Sequence, residues 1–306
     1  MGSTRQNILN TLAYFDIFQY PLLKEEILLF HSVITDQRLI DESLDDLCNE
    51  GTVFKLDEFY SIQNGMALAQ RRRTGNRLAF EQMKNAHRAA KILARFPYVR
   101  GLAISGSLSK NYADENTDID FFIITKANRL WLARTLMHLF YKLHYFTGKQ
   151  RWFCMNYYVD EAGLEIEEKN IFTAIEIITL LPMHGKTALD DFMLANKWAN
   201  DYFPHCRIAT ADTAPIKKRI FSRMTEWLFN NRLGDWVDRC LMKITDKRWR
   251  KKVERKQKNV KGNPLGMIVT PHCSKPNPIF FQDKVLQLYV NKIGSLTRFQ
   301  KETSNV

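Results

Sequence analysis

Apolar and polar positions alternate along this chain so as to predict a helical opening, a strand-rich centre and a helical close. Ile8, Leu9, Leu12 and Phe15 recur at helical spacing, after which Tyr20-Pro21 forces a turn. A short helix over 25–30 follows, then a third over 36–50 that sets Leu39, Ile40, Leu44 and Leu47 on one face and stops at Gly51, as a C-cap glycine would. The runs 53–56 and 59–62, joined by Asp57-Glu58, read as a hairpin. A long polar helix over 67–96 comes next, broken near Gly75 and stopped by Pro97.

The centre reads as strand 101–105, short helix 108–113, strand 118–125, helix 129–146 and strand 152–159. Beyond it, helices are expected over 170–181 up to Pro182, over 189–202 with Trp198 as a core anchor, and over 217–244. In the last of these Phe221, Met224, Trp227, Leu228 and Leu241 form an apolar stripe, which is ordinarily core packing. The segment 263–278 carries four prolines and reads as a loop before a final helix over 279–293. The implied units are 1–66, a connecting helix 67–97, a core 98–185 and a C-terminal helical region 186–306.

Candidate chemistry lies at the first two central strands. Gly106-Ser107 follows the apolar run ending at Ile104, and Asp118-Ile119-Asp120 opens the next run. Residues two apart on a strand share a face, so Asp118 and Asp120 would present two carboxylates together while Ile119 and Phe121 face the core. Divalent metal is the commonest reason for such a pair, because Mg²⁺ takes one or two carboxylates plus phosphate oxygens. A glycine turn lets backbone approach a phosphate, and a following helix N-terminus offers it N–H groups. The bland alternative is a strand-turn-helix with a solvated acidic turn.

The ordered set of Gly106-Ser107, a spacer from Leu108 to Thr117, and Asp118-X-Asp120 resembles the nucleotidyltransferase superfamily related to DNA polymerase β. That resemblance implies an α+β fold, a small mixed sheet with flanking helices. It also implies a nucleoside triphosphate, such as ATP, with its phosphates at Gly106 and Ser107, Mg²⁺ or Mn²⁺ held by Asp118 and Asp120, and transfer to a hydroxyl acceptor of open identity. Lys110, one turn after the glycine, would reach a terminal phosphate or simply be solvated. Enzymes of this type carry a third carboxylate on the last core strand, but this chain has Asn156 mid-strand and Asp160 only at its end. Asparagine can coordinate metal or hold a hydroxyl but cannot take a proton at neutral pH. Three alternatives follow: Asp160 or Glu165 folds back, the proton leaves to water or phosphate, or the core is a decayed one that binds nucleotide or nucleic acid without turnover. Glu176, within the helix over 170–181, either holds a metal ligand in place or is an exposed acid, with exposure or a structural hydrogen bond the favoured reading.

In element order the first 66 residues resemble a winged helix. The charges oppose a DNA-reading role, since the third helix carries Asp36, Asp41, Glu42, Asp45, Asp46 and Glu50 against Arg38. A structural cap or protein-contact module is the expectation. Arg71-Arg72-Arg73 would reach a phosphate or, as is usual for such a triplet, face solvent.

The formal net charge of +12 is mostly one segment: 247–261 holds nine Lys or Arg against Glu254. With Trp249 inside it, this run either grips nucleic-acid phosphate while the indole stacks on a base, or is a solvated helix end, the commoner fate of charge runs. Five scattered cysteines suit reduced thiols, and His205-Cys206 and His272-Cys273 lack the spacing of structural zinc ligands. No apolar run approaches a membrane span, and no signal-peptide core precedes the first helix, so cytoplasm is the default expectation.

Overall fold

The hydroxyl of Ser3 accepts from the Gln6 N–H and opens α1 (Thr4–Asp16), which buries Ile8, Leu9, Leu12 and Phe15. The computed structural model describes residues 3–143, 150–206, 210, 213–258, 266–276 and 279–303. The expected end of the helix over 129–146, parts of the segment 263–278 and the last residues of the basic run fall outside these. After α1 come β1 (Leu22–Leu23), α2 (Lys24–Leu29), α3 (Gln37–Asn49), β2 (Phe54–Leu56) and β3 (Phe59–Ser61). The strands form an antiparallel sheet in the order β1-β3-β2. On α3 only Ile40, Leu44 and Leu47 are buried; Leu39 lies one position off their spacing and is exposed.

Helix α4 (Met66–Leu93) runs unbroken through Gly75, contrary to the expected break. A Cβ at Gly75 would lie 2.2 Å from the Tyr112 ring, so the glycine serves close packing rather than a kink. The arginine triplet is solvent-facing only at Arg73. Arg72 is buried, stacks 3.6 Å from the Tyr20 ring centroid, and donates to Glu26 (2.7 Å) and the Pro21 carbonyl (2.8 Å). Arg73 bonds Asp57 and Glu58 of the β2–β3 turn, and Arg71 donates to the Phe18 and Gln19 carbonyls.

The centre comprises β4 (Val99–Ile104), α5 (Gly106–Ser109), β5 (Asp120–Thr125), α6 (Leu130–Leu143), a 3-10 turn (Gln150–Phe153) and β6 (Cys154–Asp160). Then follow α7 (Ile171–Ile178), β7 (Leu181–His184), α8 (Lys186–Ala195), α9 (Ala199–Tyr202), α10 (Ile220–Phe229) and α11 (Arg232–Glu254). The chain closes with β8 (Met267–Val269), β9 (Cys273–Pro276) and α12 (Ile279–Thr303). The large sheet has the order β7-β4-β5-β6-β9-β8, with β5 and β6 parallel and the other pairs antiparallel. The protein is thus mixed α/β, a mixed sheet with flanking helices.

Strand β5 shows why its sequence is continuously apolar: Phe121 and Ile123 enter the core beneath α4 and α6, while Phe122 and Ile124 enter the core shared with α7 and α8. That second core is continuous with the one built by α1, α2 and α3. Helix α12 returns to α1 and α7 through Tyr289 on Tyr14 (5.7 Å), Phe281 on Phe172 (6.0 Å) and an ion pair of Lys292 with Asp16.

Several expectations need correction. Pro182 sits inside the edge strand β7 rather than merely ending a helix, and the proline-rich segment holds the β8–β9 hairpin. The helix expected over 189–202 is two helices, α8 and α9, and that over 217–244 divides at Asn231, whose side chain caps α11 by accepting from the Gly234 N–H. Trp198 is half-buried against Tyr202 rather than a core anchor. The apolar stripe of α10 faces outward, with Phe221, Met224, Trp227 and Leu228 exposed. This helix docks through its polar side instead. Burial alone would raise the Glu226 pKa, but Arg100 (3.0 Å), Lys218 (2.9 Å) and the Tyr98 N–H (2.6 Å) together pull it down to about 2.

Candidate active site

Antiparallel pairing of Ile104 with Phe121, continued by the Ser105 N–H donating to the Asp120 carbonyl at 2.9 Å, brings the end of β4 beside the start of β5. At that junction Gly106 adopts φ +71°, and a Cβ there would lie 2.5 Å from Asp120 Oδ2. The glycine is therefore required twice, by its backbone and by the carboxylate beside it. Helix α5 is a single turn, so no long helix dipole points at this spot. The Ser109 hydroxyl and the Lys110 ammonium both donate to the Gly106 carbonyl, at 2.8 and 3.1 Å.

Asp118 and Asp120 flank Ile119, whose N–H donates to the Arg151 carbonyl (2.8 Å) and whose carbonyl accepts from the Cys154 N–H (3.2 Å). Extended pairing thus reaches back beyond β5, and the two acids share the same parity. Asp120 lines the smaller of the two cavities described below, whereas Asp118 lines neither and its charge acts on Tyr141 of α6. The parallel ladder pairs Phe121 with Met155 and Phe122 with Tyr157, so Asn156 is the bulged residue of β6. That bulge aims the Asn156 amide at Asp120, where Nδ2 donates to Oδ1 at 2.7 Å.

Neither alternative third acid reaches this point. Asp160 pairs with Thr125 at the opposite end of the ladder, fully buried, and accepts from the Asn128 (2.8 Å) and Ala162 (3.0 Å) N–H groups with His272 Nδ1 3.0 Å away. Glu165 forms an exposed ion pair with Lys169. The carboxylate that does arrive is Glu176, on α7, with Oε1 2.8 Å from Lys110 Nζ. Its signal in the sequence was an isolated acid in the otherwise uncharged run of α7.

Two cavities meet here, sharing Gly106, Phe172, Glu176 and Phe281. The smaller, about 160 Å³, lies over Asp120 and Asn156 and is closed by Phe122, Phe192 and Lys275. The larger, about 370 Å³, falls in the range of roughly 300–1,000 Å³ usual for small-molecule sites and holds Ser107, Lys110 and Arg71 among aromatic walls. Those walls come from α1 and the turn after it, Tyr14, Phe15, Phe18 and Tyr20, and from Tyr112. Burial, then the charge of Glu176, raises the Tyr14 pKa well above the usual phenol range, so this wall stays neutral. Arg71 lies 4.8 Å from the Tyr112 ring centroid. The sequence marks Phe15 as a core position and Tyr20 as part of a turn but none of the five as a cavity wall, because residues 14 to 20 reach the cavity only through tertiary packing.

Among the described residues no group of three or more His, Cys, Asp or Glu could by itself hold a metal ion. The Asp120 carboxylate at a glycine cradle fits the other arrangement, in which Mg²⁺ arrives with phosphates and takes only one or two protein carboxylates. Among the described residues, no helix is long and apolar enough to cross a membrane. No protein-family model, curated protein or solved structure matches the chain.

Proposed function

We propose that this protein transfers a nucleotidyl group from a nucleoside triphosphate, ATP being the first to test, to a hydroxyl acceptor with release of pyrophosphate. The reading rests above all on the contact between the positive-φ Gly106 and the Asp120 carboxylate, which lines a cavity of about 160 Å³ that shares Gly106 with a neighbouring one of about 370 Å³. Antiparallel β4–β5 followed by parallel β5–β6, with the glycine turn at the end of β4, further supports it.

The residues divide the work as follows. Gly106 and Ser107 let phosphate approach the backbone, and Lys110 turns from Glu176 toward a phosphate oxygen. Asp120, with Asp118 two residues before it, would hold Mg²⁺ or Mn²⁺; when bound, the ion neutralises phosphate charge. Asn156 fixes the Asp120 carboxylate through its amide N–H. The acceptor oxygen attacks the α-phosphorus, the bond to pyrophosphate breaks, and Glu176, released by Lys110, takes the acceptor proton.

Asn156 in place of a carboxylate favours a second reading, nucleotide binding without turnover. One assay separates the two: α-labelled nucleoside triphosphates with Mg²⁺ or Mn²⁺ and a cell extract as acceptor pool. Metal-dependent label transfer that disappears in Asp120→Asn and Asp118→Asn is expected. Tight nucleotide binding with no transfer to any acceptor supports the second reading, and neither binding nor transfer overturns both.

A further inference from the structure

Helices α6 and α11 enclose a groove of about 640 Å³ whose charge the transfer reaction does not use. It lies away from the Asp120 cavities: α6 packs on the sheet face of Phe121 and Ile123, whereas the smaller cavity opens on the face of Phe122. Among the described residues the groove is lined by Arg134, Lys142, Arg248, Lys251, Lys252 and Arg255, and by no Asp or Glu. Positions 248, 251, 252 and 255 fall on one helical face, placing four cations within about 10 Å along the axis. The nearby acids of α11 do not line it; Asp246 pairs with Arg250 at 2.8 Å.

At its base Arg134 is only 8% exposed, yet among the described residues its Nε has no hydrogen-bond partner. A guanidinium buried without a carboxylate is costly, and stacking 5.4 Å from the Trp131 ring centroid offsets only part of that cost. Burial, then the charges of Arg134 and Lys142, lowers the pKa of His138 in the same wall to about 3, so His138 is neutral at pH 7. An entering anion would satisfy Arg134 and relieve this crowding. Trp249 also lines the groove, its ring within 4.8 Å of Lys252 Nζ.

We propose that this groove binds single-stranded nucleic acid, phosphates entering between the two helices toward Arg134 and a base stacking on Trp249. The recess argues against a lipid surface, which would meet the rims and not the buried guanidinium. The indole among the cations argues against an acidic peptide, which needs charge alone.

The test is fluorescence anisotropy of the full chain with a labelled mixed-sequence 20-nucleotide RNA between 50 and 200 mM salt. Six phosphate contacts predict a slope of about −4 in log K against log salt, hence a loss of roughly 300-fold over that range. Arg248→Gln/Lys251→Gln/Lys252→Gln, at exposed positions and checked for an unchanged melting curve, should make the slope shallower by about 2. Trp249→Leu should weaken single-stranded RNA about tenfold with the slope retained, and leave duplex RNA unaffected. An unchanged slope in the triple variant, equal binding of polyglutamate, or equal binding of phosphatidylserine vesicles overturns the proposal.

Discussion

Replacing Gly106 with alanine adds a methyl group at a position where both the backbone and a neighbour resist it. At φ +71° an L-residue costs about 1–2 kcal/mol relative to glycine. The new Cβ would also sit 2.5 Å from Asp120 Oδ2, so that carboxylate must retreat by about 1 Å to reach ordinary contact. Gly51 supplies the control. It has φ +67° with nothing within 4 Å of its Cβ site, so Gly51→Ala carries the backbone strain without the collision. Both variants should lower the melting temperature by a few degrees, at about 2–4 °C per kcal/mol for a chain of this order. Only Gly106→Ala should abolish the nucleotide-induced rise in melting temperature, and it should cut label transfer by about a hundredfold, as a misplacement of about 1 Å does. Thermal melts with and without Mg²⁺-ATP, followed by the transfer assay, read both effects. If the two variants behave alike, the contact between the glycine turn and Asp120 has no functional weight and the reasoning fails.

Arg72→Met should destabilise the fold by about 3–5 kcal/mol in urea unfolding, because it strands Glu26 and the Pro21 carbonyl; Arg73→Met, on an exposed pair, should change stability far less. Equal costs would refute the buried role of Arg72. Glu176→Gln should tighten triphosphate binding several-fold by isothermal titration, since it releases Lys110, while slowing transfer; weaker binding would contradict that role. Burial raises the Asp238 pKa from 3.8 to about 6 although the carboxylate accepts from the Leu132 N–H. Its contribution to stability is therefore full below about pH 4 and lost as pH rises through 6, a change of about 3 kcal/mol. Asp238→Asn keeps the acceptor and should flatten the stability profile between pH 4 and 7; an unchanged profile would count against this account.

Local signals carried the strands around the site and much of the first module. Short continuous apolar runs announce β4 and β5, and Gly51 marks the end of α3 because its stop is written in adjacent residues. What stayed hidden depends on distant partners. The β8–β9 hairpin is held by pairing Tyr158 with Ser274 and Val159 with Cys273, which no local pattern encodes, and its prolines argue for a loop. The outward face of α10 follows from Glu226 meeting Arg100 and Lys218, a polar docking that outweighs an apolar stripe. Of the candidate residues, Gly106, Ser107, Lys110, Asp120 and Asn156 line the two cavities and Asp118 does not, whereas Glu176 and the aromatic walls needed α7 and α1 to be folded onto them.

The helix that begins at Ile279 closes over a chamber begun by α1, with Phe281 facing both cavities. During synthesis the chamber is therefore unfinished until residue 281 has left the ribosome. If the proposed nucleotide site is right, nucleotide added to stalled nascent chains should protect against protease only when the stall lies well downstream of residue 281, so that α12 sets the moment at which the chamber closes.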